Sequence, residues 1–133
     1  MSTDNNFLHA EITEVIIGCF YNVYNKLGFG FLEKVYENAL LVELKESGLS
    51  AFPQIPIEVY YKNIKAGNYF ADILVNDKVI LELKAGDGII IEEHELQLVN
   101  YLRATEIEVG LILFFGKKPQ FKRKIFTNDL KNK

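Results

Sequence analysis

Two strongly apolar segments between Tyr69 and Ala85, YFADILVNDKVILELKA, carry three ionisable side chains in suggestive places: Asp72, Glu82 and Lys84. Side chains two apart on a strand point the same way, so Glu82 and Lys84 share a face. If Asn76-Asp77-Lys78 closes a three-residue hairpin loop with Val75 opposite Val79, Asp72 faces Glu82 across the pair. A two-residue loop would shift the register by one and spoil that alignment. Two facing carboxylates in an apolar sheet repel, and both do not stay ionised without a counter-charge. A divalent cation resolves the conflict, since Mg²⁺ takes hard oxygen ligands, keeps several waters and needs only one or two carboxylates. Lys84 would then orient or activate a water, or stabilise charge growing on a phosphate. The plainer alternative is an ion pair of Lys84 with Glu82 or Asp72 at the sheet rim.

Other polar residues stand at spacings that bring them to the same place. Glu33 lies early on a predicted helix, and Gln97 and Tyr101 lie four apart on one face of a later one. Each also has a structural use, Glu33 as a favourable acid in a first helical turn, Gln97 and Tyr101 as polar caps over a half-buried face. Competing chemistries lack their residues. The chain has two histidines, His9 and His94, and no Gly-x-Ser-x-Gly elbow, Walker A loop, dinucleotide fingerprint or Cys/His zinc spacing. Cys19 falls on the apolar side of a predicted helix and reads as a buried small hydrophobe. His94, among charged neighbours, reads as a surface residue.

The elements that must position these groups follow from periodicity. Ile12, Val15, Ile16, Cys19, Phe20, Val23 and Leu27 recur at helical spacing over 7–27, and Gly28-Phe29-Gly30 ends that helix. A second helix runs from Phe31 to Ser47. Strands follow at Ile57–Tyr61, after Pro53 and Pro56, then at Gly67–Val75 and Lys78–Lys84, with Lys62-Asn63 as a turn. Glu92–Ala104 is a helix. Glu108–Phe115 is a nearly continuous apolar run with the look of a central strand, and Phe121–Phe126 is a short last strand. The order ααβββαββ predicts an α/β fold, a mixed sheet flanked by helices.

At 133 residues, 49% apolar and 25% charged, the chain fits one globular domain with a core of its own and excludes a disordered chain. We expect a single domain over 1–126 and a basic tail over 127–133. Residues 1–116 hold 8 Lys/Arg against 17 Asp/Glu, while 117–133 hold 7 against one, so a basic end sits on an acidic body. Such an end suits phosphate contact or simply solvation. The acidity argues against a protein that coats nucleic acid, not against an enzyme whose metal site must itself be acidic. No apolar stretch is long enough to span a membrane. A single cysteine and a polar start without a signal-peptide pattern point to the cytoplasm.

Gly30-Phe31-Leu32-Glu33-Lys34-Val35-Tyr36 resembles the Gly-x-x-Glu-x-x-Tyr signature of the GxxExxY protein family. Asp72 followed by Glu82-Leu83-Lys84 resembles the motif of the PD-(D/E)XK nuclease superfamily, in which that family is placed. Gln97-x-x-x-Tyr101 is similar to the helical motif of its RecB-like members. Gln54, Tyr61-Lys62, Gly110-Leu111 and Phe115-Gly116 also fall where similar segments are expected, so the resemblance runs from about Glu11 to Lys124. It implies a restriction-endonuclease-like αβββαβ core with an extra N-terminal helix, and Mg²⁺-dependent hydrolysis of phosphodiester bonds in DNA or RNA, with Mn²⁺ as a substitute. Asp72, Glu82 and the Leu83 carbonyl would ligate metal, and Glu33 would ligate it or hold a metal-bound water. Lys84 would position the attacking water, while Gln97, Tyr101 and Tyr36 would contact substrate or brace the site. Two departures stand out: Ala71 precedes Asp72 where proline is common, and Phe114 stands where the family has asparagine. The alternative is a catalytically inactive module on the same fold that binds nucleic acid or a protein partner. Small domains of this kind often work in pairs, so a homodimer is also an expectation.

Overall fold

The computed structural model describes residues 8–131. Residues 1–7 and 132–133, which include the polar start and the last residues of the expected tail, lie outside that range. Two helices come first, α1 (Ala10–Leu27) and α2 (Glu33–Glu46). A long hairpin of β1 (Ala51–Tyr61) and β2 (Ile64–Val75) leads into β3 (Val79–Ala85). Helix α3 (Glu92–Ala104) then crosses to β4 (Val109–Phe115), and β5 (Pro119–Ile125) closes the sheet. The five strands lie in the order β1-β2-β3-β4-β5. All neighbours are antiparallel except β3 and β4, which are parallel and therefore need the crossover that α3 provides. The result is the expected α/β fold with a mixed sheet and an extra helix at the start.

Strand β1 begins six residues earlier than periodicity suggested. It pairs only with β2, and an edge strand can carry Pro53 and Pro56 because their missing donors face no neighbour. Strand β2 begins at Ile64 because Lys62 and Asn63 both take left-handed backbone, at φ 50° and 67°, and turn the chain in two residues.

The sheet separates two cores. Residues from α1 and α2, among them Ile16, Phe20, Tyr36, Leu40 and Leu44, pack on Val79, Leu81, Leu83, Leu111, Leu113 and Phe115. On the other side Leu98, Tyr101 and Leu102 of α3 pack on Ile57, Ala71, Ile80 and Ile112. Alternation along β3 and β4 sends odd positions to the first core and Ile80 and Ile112 to the second. Helix α3 lies close to β4 because Gly110 has no side chain. A Cβ there would sit 2.6 Å from Cδ1 of the buried Leu98. Cys19 is buried on α1 as expected, with its sulfur 3.3 Å from the Ser47 hydroxyl.

Thr127–Lys131, the start of the expected basic tail, folds back on the turn between α3 and β4. The Asn128 amide donates to Glu108 Oε2 at 2.7 Å, and Lys131 Nζ donates to the carbonyls of Thr105 and Ile107 at 2.8 and 2.9 Å. No helix among the described residues is long and apolar enough to cross a membrane.

Candidate functional site

The β2–β3 hairpin has the register that brings Asp72 and Glu82 together. Val75 pairs with Val79 across Asn76-Asp77-Lys78, and the ladder runs through Leu74–Ile80 to Ile73–Leu81. Asn76 and Asp77 both adopt left-handed backbone at φ 53°, and Lys78 N–H closes the turn on the Val75 carbonyl at 2.9 Å. Beyond Ile73 and Leu81, side chains replace backbone pairing. The Asp72 amide donates to Glu82 Oε2 at 3.0 Å, and the Leu83 amide donates to Asp72 Oδ2 at 2.7 Å. Each carboxylate thus caps the main chain of the opposite strand and holds the two strands apart there.

The other side of Asp72 is irregular too. Pro53 pairs with Ile73 and Ile55 with Ala71, but Gln54 and Asp72 between them do not pair. Gln54 sits at φ 54°. As a result Ala71 and Ile73, two apart, join cores on opposite sides of the sheet, against the alternation a regular strand requires. The chain twists at Asp72 and exposes one edge of its carboxylate.

The electrostatics are unbalanced. Glu82 is only 5% exposed. Burial first, and the charge of Asp72 second, push its carboxyl from an ordinary 4.5 up to about 8. Asp72 is also raised, by burial first and then by Glu37 and Glu33, against the opposing effect of the Leu83 amide and of Lys84. Lys84 is half-buried and lowers both groups through space. Among the described residues it forms no ion pair within 4 Å, so the rim ion pair is not made.

Glu33 and Glu37 come from the first turns of α2, four apart and on one side of the helix. Glu33 is exposed, yet its charge is felt by both Asp72 and Glu82. Glu37 is 5% exposed and has both oxygens occupied, by Lys34 Nζ at 2.8 Å and Gln54 Nε2 at 3.0 Å. It ties α2 to the left-handed residue beside Asp72. Tyr36 lies in the first core, away from the carboxylates. Its ring stacks on Phe115 at 4.1 Å, its hydroxyl donates to the Gly28 carbonyl, and it accepts from the Phe31 amide at 3.2 Å. It braces the turn that launches Glu33.

On the α3 side, Tyr101 is 5% exposed and accepts a hydrogen bond from Gln97 Nε2 at 2.9 Å. Burial, then the nearby Glu82, hold its hydroxyl proton more tightly than usual. The two residues therefore act as a unit beside the carboxylates. His94, read from sequence as a surface residue, is half-buried and stands on the same wall. Its Nδ1 accepts from the Ile91 amide at 3.2 Å, which leaves Nε2 for the proton of the neutral ring. Its ring is 6.2 Å from that of Phe114, the residue paired with Lys84 across β3 and β4. Phe114 thus places an aromatic ring near His94, on the strand next to Lys84.

Asp72, Glu82, Lys84 and Tyr101 come together, with Gln97 joined through Tyr101; Glu33 stands at the margin, and Tyr36 behind the sheet. Sequence reasoning missed Glu37, which its position four residues after Glu33 marks, and the bracing by Gln54, which only the tertiary fold creates. Among the described residues no three carboxylates, imidazoles or thiols converge as a metal cluster. Two hard oxygens do fit a cation. Among the described residues Asp72 Oδ1 and Glu82 Oε1 accept no hydrogen bond, and neither is sealed from solvent.

A family model described as the PD-(D/E)XK nuclease superfamily matches residues 10–124. Among solved structures, the crystal structure of SSO0001 is similar in fold, with a TM-score of 0.58 at 19% identity over 89% of this chain. The match covers 60% of that protein's chain, so this chain spans less than two thirds of it. No curated protein matches the chain.

Proposed function

The chain belongs to the PD-(D/E)XK nuclease superfamily, and from that premise we propose that it is a Mg²⁺-dependent nuclease of the GxxExxY group. The observation that carries the reading is the pair of cross-capping carboxylates, each with one oxygen unpartnered and neither in an ion pair among the described residues. Asp72 and Glu82 would hold the cation, with the Leu83 carbonyl as a further ligand and Glu33 holding one of its waters. A bound divalent cation supplies Lewis-acid polarisation of the phosphate and a more acidic water.

The chain's own residues do the rest. The Leu83 and Asp72 amides each fix one oxygen of a carboxylate and leave the other for a cation. Lys84, in no ion pair among the described residues, donates to the attacking water and to a non-bridging phosphate oxygen, where negative charge grows. Gln97, anchored on Tyr101, orients the substrate backbone. Burial of the pair lowers the local dielectric and strengthens each of these contacts.

The test is cleavage of labelled single- and double-stranded DNA and RNA with Mg²⁺, Mn²⁺ or EDTA. Metal-dependent cutting should disappear in Asp72→Ala and fall by about 10²–10³-fold in Lys84→Ala, with cooperative thermal unfolding kept in both. Cutting in EDTA, or undiminished cutting by Asp72→Ala, would overturn the reading. A second reading, a binding module without catalysis, is favoured by the absence of a third converging ligand among the described residues. It requires nucleic-acid binding that divalent metal does not change, and no turnover on any substrate.

A further inference from the structure

A groove of about 900 Å³ lies between the β1–β2 hairpin and α3, with Tyr69, Gln97 and Tyr101 on its walls. Tyr101 lines it, bonded to Gln97, and is near enough to feel the charges of Glu82 and Asp72, so the groove adjoins the site although neither carboxylate lines it. We infer that this groove binds the bases of a single-stranded nucleic acid, seating them on Tyr69 and its neighbours; this rests on the nuclease reading.

Three features select that occupant. The first is aromatic lining on both walls: Tyr60 and Tyr69 on the hairpin, Tyr101 on the helix. Tyr69 is half exposed, with its ring centroid 5.8 Å from that of Tyr101. Gly67 lies beside the Tyr69 ring, where an added Cβ would come into ordinary contact at 3.5 Å. Every base has a π-face, so stacking on such rings is tolerant of sequence. The second is charge. The groove is lined by Glu58 and Glu93 against Arg103 alone, and Arg103 is engaged over the Phe126 ring. Duplex binding draws on Lys/Arg contacts along both phosphate strands, and no such track exists on these walls. The exposed Asn100 instead offers an amide that pairs with a base edge. The third is size. The volume is that of a small-molecule site, room for a short run of splayed bases and not for a turn of duplex. A single strand also needs only one active site, so cutting it requires no second copy of the chain.

Fluorescence anisotropy in EDTA tests this without turnover, using labelled eight-nucleotide oligo-dT and oligo-U and a blunt DNA duplex. Single strands should bind at least about tenfold more tightly than the duplex. Tyr69→Ala should weaken single-strand binding by about tenfold, Tyr69→Phe should restore it, and Tyr60→Ala should act in the same direction from the same hairpin wall. The two oligonucleotides report whether the 2′-hydroxyl is read. Equal or tighter duplex binding, or unchanged affinity in Tyr69→Ala and Tyr60→Ala with intact thermal unfolding, would overturn the inference. Stacking-dependent binding without cleavage would support the groove while removing the nuclease reading. Cleavage that prefers duplex and ignores Tyr69 would do the reverse.

Discussion

At the scale of single residues, the site is a conflict that folding leaves standing. Glu82 is buried for the packing of β3 and shares its surroundings with Asp72. Its carboxyl moves from an ordinary 4.5 to about 8, with burial as the larger cause. Between those values the unfolded chain has released this proton and the folded chain still holds it. The folded state therefore binds more protons, and stability falls as pH rises through the window. The contribution is fully present below about pH 4.5 and lost by the time pH passes about 8. Asp72 shifts in the same direction and adds to the slope. We expect the Tm of chelated protein to decline between pH 5 and pH 8.5, and to decline less in Glu82→Gln, which carries no charge to frustrate. Millimolar Mn²⁺ should raise Tm more at pH 8 than at pH 5, because a cation binds the ionised pair. A melting curve whose pH dependence is identical in Glu82→Gln would show that the pair is not strained in the folded chain.

At the scale of elements, catalysis depends on how closely α3 is pressed to β4, since α3 carries Gln97 and Tyr101 and the sheet carries the carboxylates. Gly110 sets that distance. An added methyl would meet three atoms of the Leu98 side chain at 2.6 to 3.1 Å, and Leu98 is fully buried with nowhere to swing. Gly110→Ala should cost about 1–3 kcal/mol as an overpacked core position. Leu98→Ala added to it should recover part of the loss, because it removes the atoms that clash. Chemical denaturation of the four proteins in this cycle checks the coupling, and additive losses would sink it. The same scale shows what could be read beforehand. The Asp72–Glu82 facing follows from loop length and side-chain alternation, both local, and so do the limits of α3. The extent of β1 was hidden because proline argues against a strand unless the strand is known to be an edge. The twist at Asp72 was hidden because it rests on Gln54 in left-handed backbone, held by Glu37 from another element. Alternation assumes a regular strand, and the site is where regularity ends.

At the scale of the whole molecule, the question is what an acidic body with a basic end does to a polyanion. Six cations lie between residues 117 and 131, and five of them have partners within the chain. Lys122 and Lys124 reach Glu95 at 3.7 and 2.8 Å, and Arg123 and Lys131 donate to backbone carbonyls. Lys117 faces Asp87 at 3.6 Å with both side chains more than three-quarters exposed. A pair that open to water contributes little, so a phosphate can compete for Lys117. Together with Lys118 and Lys84, that leaves about three cations for a nucleic-acid backbone, and release of their counterions gives a slope near −2 in log K against log salt for a single strand. Anisotropy titrations across a range of NaCl concentrations in EDTA measure it directly. Replacing Lys117 and Lys118 by alanine should bring the slope to about −1 while leaving Tm nearly unchanged. Replacing Lys122 and Lys124 should instead lower Tm, because those charges hold β5 to α3. A wild-type slope of −4 or steeper would mean that the basic end leaves its internal partners to track the backbone. The affinity of the groove would then owe more to charge than to its aromatic walls.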